Sequence, residues 1–277
     1  MWPICPIRGG LGVTELTDRF VRDGFVHLPG AVPEPVARAC ERLLWEETGY
    51  DPDDPMTWVS STHWVLYRDD EPFVNAVNSP TLVATYDQLV GPDRWRRRDH
   101  VGAFPLRFPS KEEPLESGWH IDAAFPDREL TDDDLESVET MREVGFRVNV
   151  NSDGRALLLL MLFSNVGADD SPTRIRIGSH LDVPQLLDPY GSAGVDSQAL
   201  SSKIEQASAS RPVTHATGRC GDVYVCHPFL VHAAQTHRGM QHRFMAQNAI
   251  EPADALEPRA RRPLSPVEQA IRAGLDD

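Results

Sequence analysis

Hydrophobic and polar positions along this chain fall into short blocks whose period switches between the helical and the strand spacing. Thr14 to Asp23 puts Leu16, Phe20 and Val21 on one side of a helix, with Thr14 as its expected cap and Gly24 as its left-handed stop. Phe25-Val26-His27-Leu28 reads as a strand ended by Pro29-Gly30, with His27 a surface or hydrogen-bonded core histidine. A second helix is predicted from about Pro35 to Thr48, striped by Val36, Cys40, Leu43 and Leu44, with Gly49 beyond its end. Tyr50 to Pro72, rich in Asp, Pro and aromatics, reads as an irregular excursion holding Trp58, Trp64 and Tyr67. Ser79 to Val90 is an amphipathic helix closed by Gly91-Pro92.

From Val101 the pattern turns to strands. Val101 to Phe108 is one, followed by a surface loop at Lys111 to Ser117. Thr131 caps an acidic helix that ends in Met141 and Arg142 and stops at Gly145, so the insert 123–146 is either a lid or a solvated flank. Phe146 to Val150 and Ala156 to Phe163 flank Asn151-Ser152-Asp153-Gly154, and Asp-Gly between two apolar runs predicts a hairpin whose second strand is buried on both faces. Arg174-Ile175-Arg176-Ile177 alternates as a strand with one solvent face. Leu186 to Arg211, rich in Ser and Ala, is expected to be a mobile excursion. Val223 to His227 is a strand, and Ser265-Pro266-Val267-Glu268 is a capping box that opens a last helix to Ala273. Short strands with Gly/Pro turns behind N-terminal helices predict a mainly β fold with flanking helices, an antiparallel sandwich or jelly roll. One domain is expected over 1–277, with a helical scaffold at 1–100, a β core at 101–250, and a helix and tail at 251–277.

Composition narrows the classes. A chain of 277 residues, 40% hydrophobic, can bury one large core. The longest apolar run, Ala156 to Phe163, is too short to span a bilayer, and Met1 to Pro6 lacks the basic and apolar segments of a signal peptide. Cys5, Cys40, Cys220 and Cys226 show no C-x-x-C spacing and fit a reducing cytosol, so a cytoplasmic protein is expected. A net charge of −15 argues against nucleic acid and anionic membranes as partners. The one basic run, Arg94 to Arg98, reads as a solvated face or an internal ion-pair partner. Nothing in the sequence fixes an oligomeric state.

The candidate chemistry centres on Trp119-His120-Ile121-Asp122. On a strand, His120 and Asp122 project from the same face and can close on one metal ion. A third imidazole would complete the two-His, one-carboxylate set that holds non-haem iron and leaves positions open. H-x-D is a weak signal, since ten His and many Asp yield about one match by accident. The chain has a second, His180-Leu181-Asp182, in which Asp182 reads better as the N-cap of a short helix. His227, His232, His237 and His242 recur every five residues, a spacing that alternates faces along a strand. His232 is favoured because Phe229-Leu230-Val231 and Ala233-Ala234 wall it with apolar side chains. If Leu230–Gln235 and Arg243–Ile250 pair as antiparallel strands, Arg243 shares an inward face with His232. A guanidinium buried there calls for an anion, and a dicarboxylate that chelates the metal at its other end fits; Arg238 falls in the connecting loop.

Several stretches together carry a resemblance. Phe20 to Gly30, Trp119-His120-Ile121-Asp122, Ser171-Pro172-Thr173 through Gly178-Ser179-His180, and Gly221-Asp222-Val223 through His232 to Arg243 resemble, over most of the chain, the phytanoyl-CoA dioxygenase family of Fe(II)/2-oxoglutarate-dependent oxygenases. Ser171 stands where the family has Gly, Ile177 where it has Pro, and Ala234 where some members have a hydroxyl. The resemblance implies a double-stranded β-helix, cupin-like, with Fe(II), 2-oxoglutarate and O2 as cofactors and cosubstrates. His120, Asp122 and His232 would hold the iron and Arg243 the far carboxylate of 2-oxoglutarate, with Thr173 and Arg107 as further cosubstrate candidates. Trp119, Phe125, Arg147 and Asn149 are the candidate substrate contacts. The implied reaction is hydroxylation or desaturation of an unactivated C–H of a small molecule, a secondary metabolite, giving succinate and CO2; related halogenases lack the carboxylate that Asp122 supplies. The alternatives are a metal cupin acting as isomerase or O2-only dioxygenase, for which Arg243 has no task, and a non-catalytic jelly-roll binding protein.

Overall fold

The computed structural model describes residues 12–135 and 138–276, so Cys5 lies outside it. Helix α1 (Val13–Asp23) starts at Gly12, which leaves Thr14 inside the helix and not at its cap; it ends as predicted, with Gly24 at φ 84° donating its N–H to Phe20 O. Strand β1 (Phe25–Leu28) and helix α2 (Glu34–Thr48) follow, the latter closed by Gly49 at φ 67°. The Asp- and aromatic-rich excursion is not wholly irregular: it contains β2 (Thr62–Val65), whose four residues are too few to show a period. Helices α3 (Glu71–Val77) and α4 (Pro80–Leu89) complete the N-terminal layer.

The remaining strands are β3 (Phe104–Arg107), β4 (Phe125–Pro126), β5 (Phe146–Val148), β6 (Leu157–Leu162), β7 (Arg174–Arg176), β8 (Val195–Asp196), β9 (Val213–His215), β10 (Val223–Cys226), β11 (His232–Ala233) and β12 (Met245–Ile250). Between and after them lie α5 (Val138–Glu143), α6 (Pro184–Leu187), α7 (Ser201–Ala207) and α8 (Pro266–Asp276). One antiparallel sheet has the order β1-β10-β6-β12. The pairing of Arg107 with Arg243, and the 2.8 Å bond from Gln247 N–H to Ala103 O, set β3 beside β12, with β2 outside it. A second sheet runs β11-β7-β9, and the segment at His120 joins it beside β11. A small third sheet is β4-β5-β8.

Strand β6 shows why the pattern there is continuously apolar. Leu157, Leu159, Met161 and Phe163 pack with Phe20, Leu44, Phe73 and Leu82 of the helical layer. Leu158, Leu160 and Leu162 face the other way, onto Tyr224, Cys226, Met245 and, from the second sheet, Ile175. A strand buried on both faces loses its alternation, and each of its leucines contributes roughly 1.5–3 kcal/mol of transfer free energy.

The predicted hairpin does not form. The turn is present, with Ser152 N–H bonded to Asn149 O at 3.0 Å, but β5 pairs with β4 and β8 while β6 pairs with β10 and β12. Gly154 takes φ 80°, and a Cβ there would lie 2.4 Å from Ala124 O. The turn therefore directs the chain out of one sheet into another. The Leu186–Arg211 stretch is built of α7, β8 and short helical turns, elements too brief to show a period. Arg174 and Arg176 do not face solvent freely: their guanidinium groups lie 4.8 and 4.2 Å from the Trp119 ring. The capping box at α8 is present, with Glu268 N–H to Ser265 Oγ at 3.3 Å and Ser265 N–H to Glu268 Oε2 at 2.9 Å. Glu268, fully buried, also accepts from Arg94 and Arg262, and Arg98 pairs with Glu251, so Arg94 and Arg98 of the basic run are ion-pair partners while Arg96 and Arg97 are exposed. Among the described residues no helix is long and apolar enough to cross a membrane.

Candidate metal and anion site

His120 and His232 come together through backbone pairing. They exchange N–H···O bonds of 3.0 and 2.9 Å, so they stand directly opposite one another with their side chains on one face. Asp122 projects from that face two residues on. Each imidazole is oriented in the same way: Nδ1–H donates to the carbonyl two residues back, Gly118 O at 2.7 Å for His120 and Leu230 O at 3.0 Å for His232. A carbonyl can only accept, which puts a proton on Nδ1 of each ring and turns Nε2 toward the metal position; burial and His232 lower the proton affinity of His120, while for His232 burial is outweighed by Asp122 and the affinity is raised. His232 Nε2 is buried with no hydrogen-bond partner and lies 3.5 Å from Asp122 Oδ1. One ligand atom from each of the three residues falls within 4.8 Å of the others. Two imidazole nitrogens and one hard anionic oxygen, with a buried Nε2 lacking a hydrogen-bond partner among them, fit a divalent first-row metal that displaces the proton from His232 on binding.

Arg155 is a residue the sequence reading missed. Its NH1 lies 3.2 Å from Asp122 Oδ2 and its NH2 donates to Ala123 O at 2.8 Å. Burial alone would favour the neutral acid at Asp122, but Arg155 and then His232 outweigh it and hold the carboxyl well below the usual range. The carboxylate is thus ionised and fixed in direction before any ion arrives. The signal for Arg155 was its place just after Asp153-Gly154, at the head of an apolar run, where a charge has no local reason to be.

Arg243 reaches the same interior by a different pairing from the expected one. β11 pairs with β7 and β12 with β6, so His232 and Arg243 stand on different sheets and the loop between them crosses from one to the other. The partner that turns Arg243 inward is Arg107, with which it exchanges N–H···O bonds of 2.9 and 2.8 Å. Both guanidinium groups are buried, at 2% and 4% exposure. Arg107 NH2 donates to Glu116 at 3.0 Å. Among the described residues Arg243 reaches only Pro105 O and Met245 Sδ, both at 3.4 Å, and the Nε of each arginine has no partner there. Burial, then the Arg107 charge, disfavours the protonated form of Arg243, an imbalance that an anion would remove. Thr173, also buried, places its hydroxyl 3.7 Å from the same Met245 sulfur.

A cavity of ≈ 600 Å³ opens over His120 and Asp122, walled by Trp64, Glu116, Met141, Phe146 and Gln247 among others. Met141, Glu143 and Val144 bring the acidic insert to its rim, and Asp196, Ser197 and Gln198 bring the stretch after α6. Trp119 borders an adjoining cavity of ≈ 490 Å³ while its ring stacks with Arg174 and Arg176. The other candidate substrate contacts are engaged elsewhere. Arg147 donates to Ala193 O and Gly194 O at 2.8 and 2.6 Å, Asn149 binds Asp153 and Ser192 O, and Phe125 lies in β4 opposite Arg147. The sequence could not show this, because which face a residue of a three-residue strand presents depends on the sheet it joins. The second H-x-D is separate: His180 Nε2 bonds Val21 O at 3.0 Å and Asp182 forks onto Arg211 at 2.6 and 2.9 Å.

No family model and no curated protein sequence matches this chain. Solved structures do. The epimerase SnoN in complex with Fe3+, alpha-ketoglutarate and nogalamycin RO is similar over 88% of this chain and 84% of its own, with a TM-score of 0.57 at 19% identity. The non-heme alpha-ketoglutarate-dependent carbocyclase SnoK from nogalamycin biosynthesis gives 0.56 at 16% over 87% and 84%. HygX from Streptomyces hygroscopicus, with nickel and 2-oxoglutarate bound, gives 0.52 at 17% over 88% of each chain. The chain therefore has the fold of the iron and 2-oxoglutarate-dependent enzymes, mostly antiparallel sheets of cupin type with flanking helices.

Proposed function

We propose that this chain is an Fe(II)/2-oxoglutarate-dependent oxygenase that hydroxylates or desaturates an unactivated C–H of a small molecule, a secondary metabolite, in the manner of the phytanoyl-CoA dioxygenase family. The observation that carries the reading is a His-Asp-His cluster with a buried, unpartnered Nε2, together with a buried, anion-seeking Arg243 whose backbone partner Arg107 bonds Glu116 on the wall of the cavity over His120 and Asp122. The sheet order supports a double-stranded β-helix: β3, β12, β6 and β10 form one wall, and the His120 segment, β11, β7 and β9 form the other. His120, Asp122 and His232 hold the metal. Arg243, helped by Arg107 and Thr173, takes the far carboxylate of 2-oxoglutarate. A metal cupin has no use for that arginine, and a plain binding module has none for His232 Nε2.

Iron bound there would supply the redox chemistry that couples decarboxylation of 2-oxoglutarate, with O2, to oxidation of the substrate. The protein's own part is placement. The Nδ1–H bonds orient both imidazoles with Nε2 toward the metal position, Arg155 fixes the Asp122 carboxylate, and the Arg107–Arg243 pair sets how deep the dicarboxylate sits. The small-molecule substrate enters over His120 and Asp122, between Trp64, Met141 and Phe146. The test is anaerobic addition of Fe(II) and then 2-oxoglutarate. A visible charge-transfer band that needs both, and succinate release once O2 and a substrate are supplied, are expected; a protein that binds Fe(II) but never yields the band rules the reading out.

A further inference from the structure

Strand alternation sorts the residues around the metal cluster onto two faces. In the pairing of β11 with β7, His232 stands opposite Ile175 and Ala233 opposite Arg174. Ile175 is buried with Leu158 and Leu160 between the two sheets, so His232 and its partner His120 face inward, while Arg174, Arg176 and Trp119 lie on the other side. On that side the Arg174 side chain crosses β11 to the segment that carries His120. Its Nε and NH2 donate to Ala234 O at 3.1 and 2.9 Å, and NH2 also donates to Ser117 O at 2.6 Å. Ala234 lies two residues after His232, and Ser117 three before His120. The Trp119 ring seats the guanidinium at 4.8 Å.

We propose that Arg174, seated against Trp119, is a positioning residue for the metal site: it ties the Ser117 and Ala234 carbonyls together across β11 and so sets the distance between His120 and His232. This rests on the assignment of His120, Asp122 and His232 as metal ligands. The brace answers a local weakness. Among the described residues three backbone bonds join the His120 segment to β11, the His120–His232 exchange at 3.0 and 2.9 Å and Ala234 N–H to Glu116 O at 2.8 Å, and the guanidinium adds three more at the same place. Ser117 O is next to Gly118 O, the carbonyl that orients His120, so holding one restrains the other. The two imidazole rings stand with centroids 4.6 Å apart, and metal–ligand distances are held to within about 0.2 Å, so a small slip of the segment costs affinity. Among the described residues Arg174 pairs with no carboxylate; its bonds go to carbonyls, and its contribution is geometric. Arg176 differs: it meets the same ring at 4.2 Å, but donates to Glu205 O and Ser208 Oγ and bridges no ligand segment.

The test titrates the full, metal-free chain anaerobically with Fe(II) by calorimetry, and with Co(II), whose visible absorption reports the geometry of its ligands. Arg174→Met, which keeps length without donors, is expected to weaken both ions roughly tenfold or more and to shift the Co(II) bands. Arg174→Gln, polar but too short to span the two carbonyls, should behave in the same way and serves if the Met variant does not fold. Arg176→Met removes a cation from the same ring and should leave affinity and bands as in the parent. A variant of Arg174 that is folded by circular dichroism and binds both ions like the parent, with unshifted bands, overturns the proposal, as does an equal loss in Arg176→Met. A parent protein that takes up neither ion overturns it together with the metal site. A parent that binds Fe(II) but gives no charge-transfer band with 2-oxoglutarate instead removes the oxygenase reading alone, and the Arg174 titrations still decide the brace.

Discussion

The tripeptides His120-Ile121-Asp122 and His180-Leu181-Asp182 have the same spacing and opposite fates. His120 sits on a segment paired with β11, so its side chain and that of Asp122 share a face with His232. His180 lies in a 3-10 turn, Ser179–Leu181, where residues two apart do not share a face. His180 is fully buried against Val21 O, close enough to β1 that a Cβ on Gly24 would come within 2.5 Å of its Nδ1, while Asp182 turns outward to Arg211. The imidazole of one pair is neutral with a free lone pair beside a carboxylate; that of the other is a spacer between α1 and the 178–182 turn. Backbone conformation, and not the residues of the motif, decides which can bind an ion.

The contrast can be broken most severely at the carboxylates. Asp122→Ala removes the only anionic protein ligand, and Fe(II) affinity measured by calorimetry should fall by at least about two orders of magnitude with the fold intact. Full affinity would place the metal elsewhere. Arg155→Leu frees Asp122 to rotate and should lower Fe(II) affinity roughly 10–100-fold, whereas Arg211→Leu, the corresponding partner of Asp182, should leave it unchanged.

Acid should reveal the buried histidine of the second pair. Burial pushes His180 down to about 4, so between its unfolded value near about 6.5 and that point the unfolded chain binds the extra proton. The stability this contributes is present above about pH 6.5 and is lost as pH falls toward 4; His180→Gln should flatten that part of the melting-temperature profile of the metal-free protein. An unchanged profile would place the acid sensitivity in another group. The smallest effect is expected at Asp182→Ala. The Asp182–Arg211 fork is partly exposed, so its loss should lower stability by about 1 kcal/mol or less in denaturant titrations and leave iron binding as it was. Asp182 is not the helix cap the sequence suggested: α6 begins after Val183 with no side-chain cap.

What the sequence determined by itself is what local chemistry specifies. The stops at Gly24 and Gly49 need a left-handed residue, the Ser265–Glu268 box satisfies its own helix end, and the apolar run Ala156–Phe163 has to be buried on both faces. The H-x-D, His232 and Arg243 were legible as residue types that would be costly to bury without a ligand. Partnership was not. The Asp-Gly turn is real, but period-2 alternation does not say which strand lies alongside, so the expected hairpin is two strands in separate sheets, and Arg243 faces inward because it pairs with Arg107 and not with the His232 strand. Arg155 and Glu116 acquire their meaning only from Asp122, 33 residues away, and Arg107, 9 residues away. Such contacts depend on closing long loops and on the faces two sheets present to each other, and that information exists only once the chain has folded.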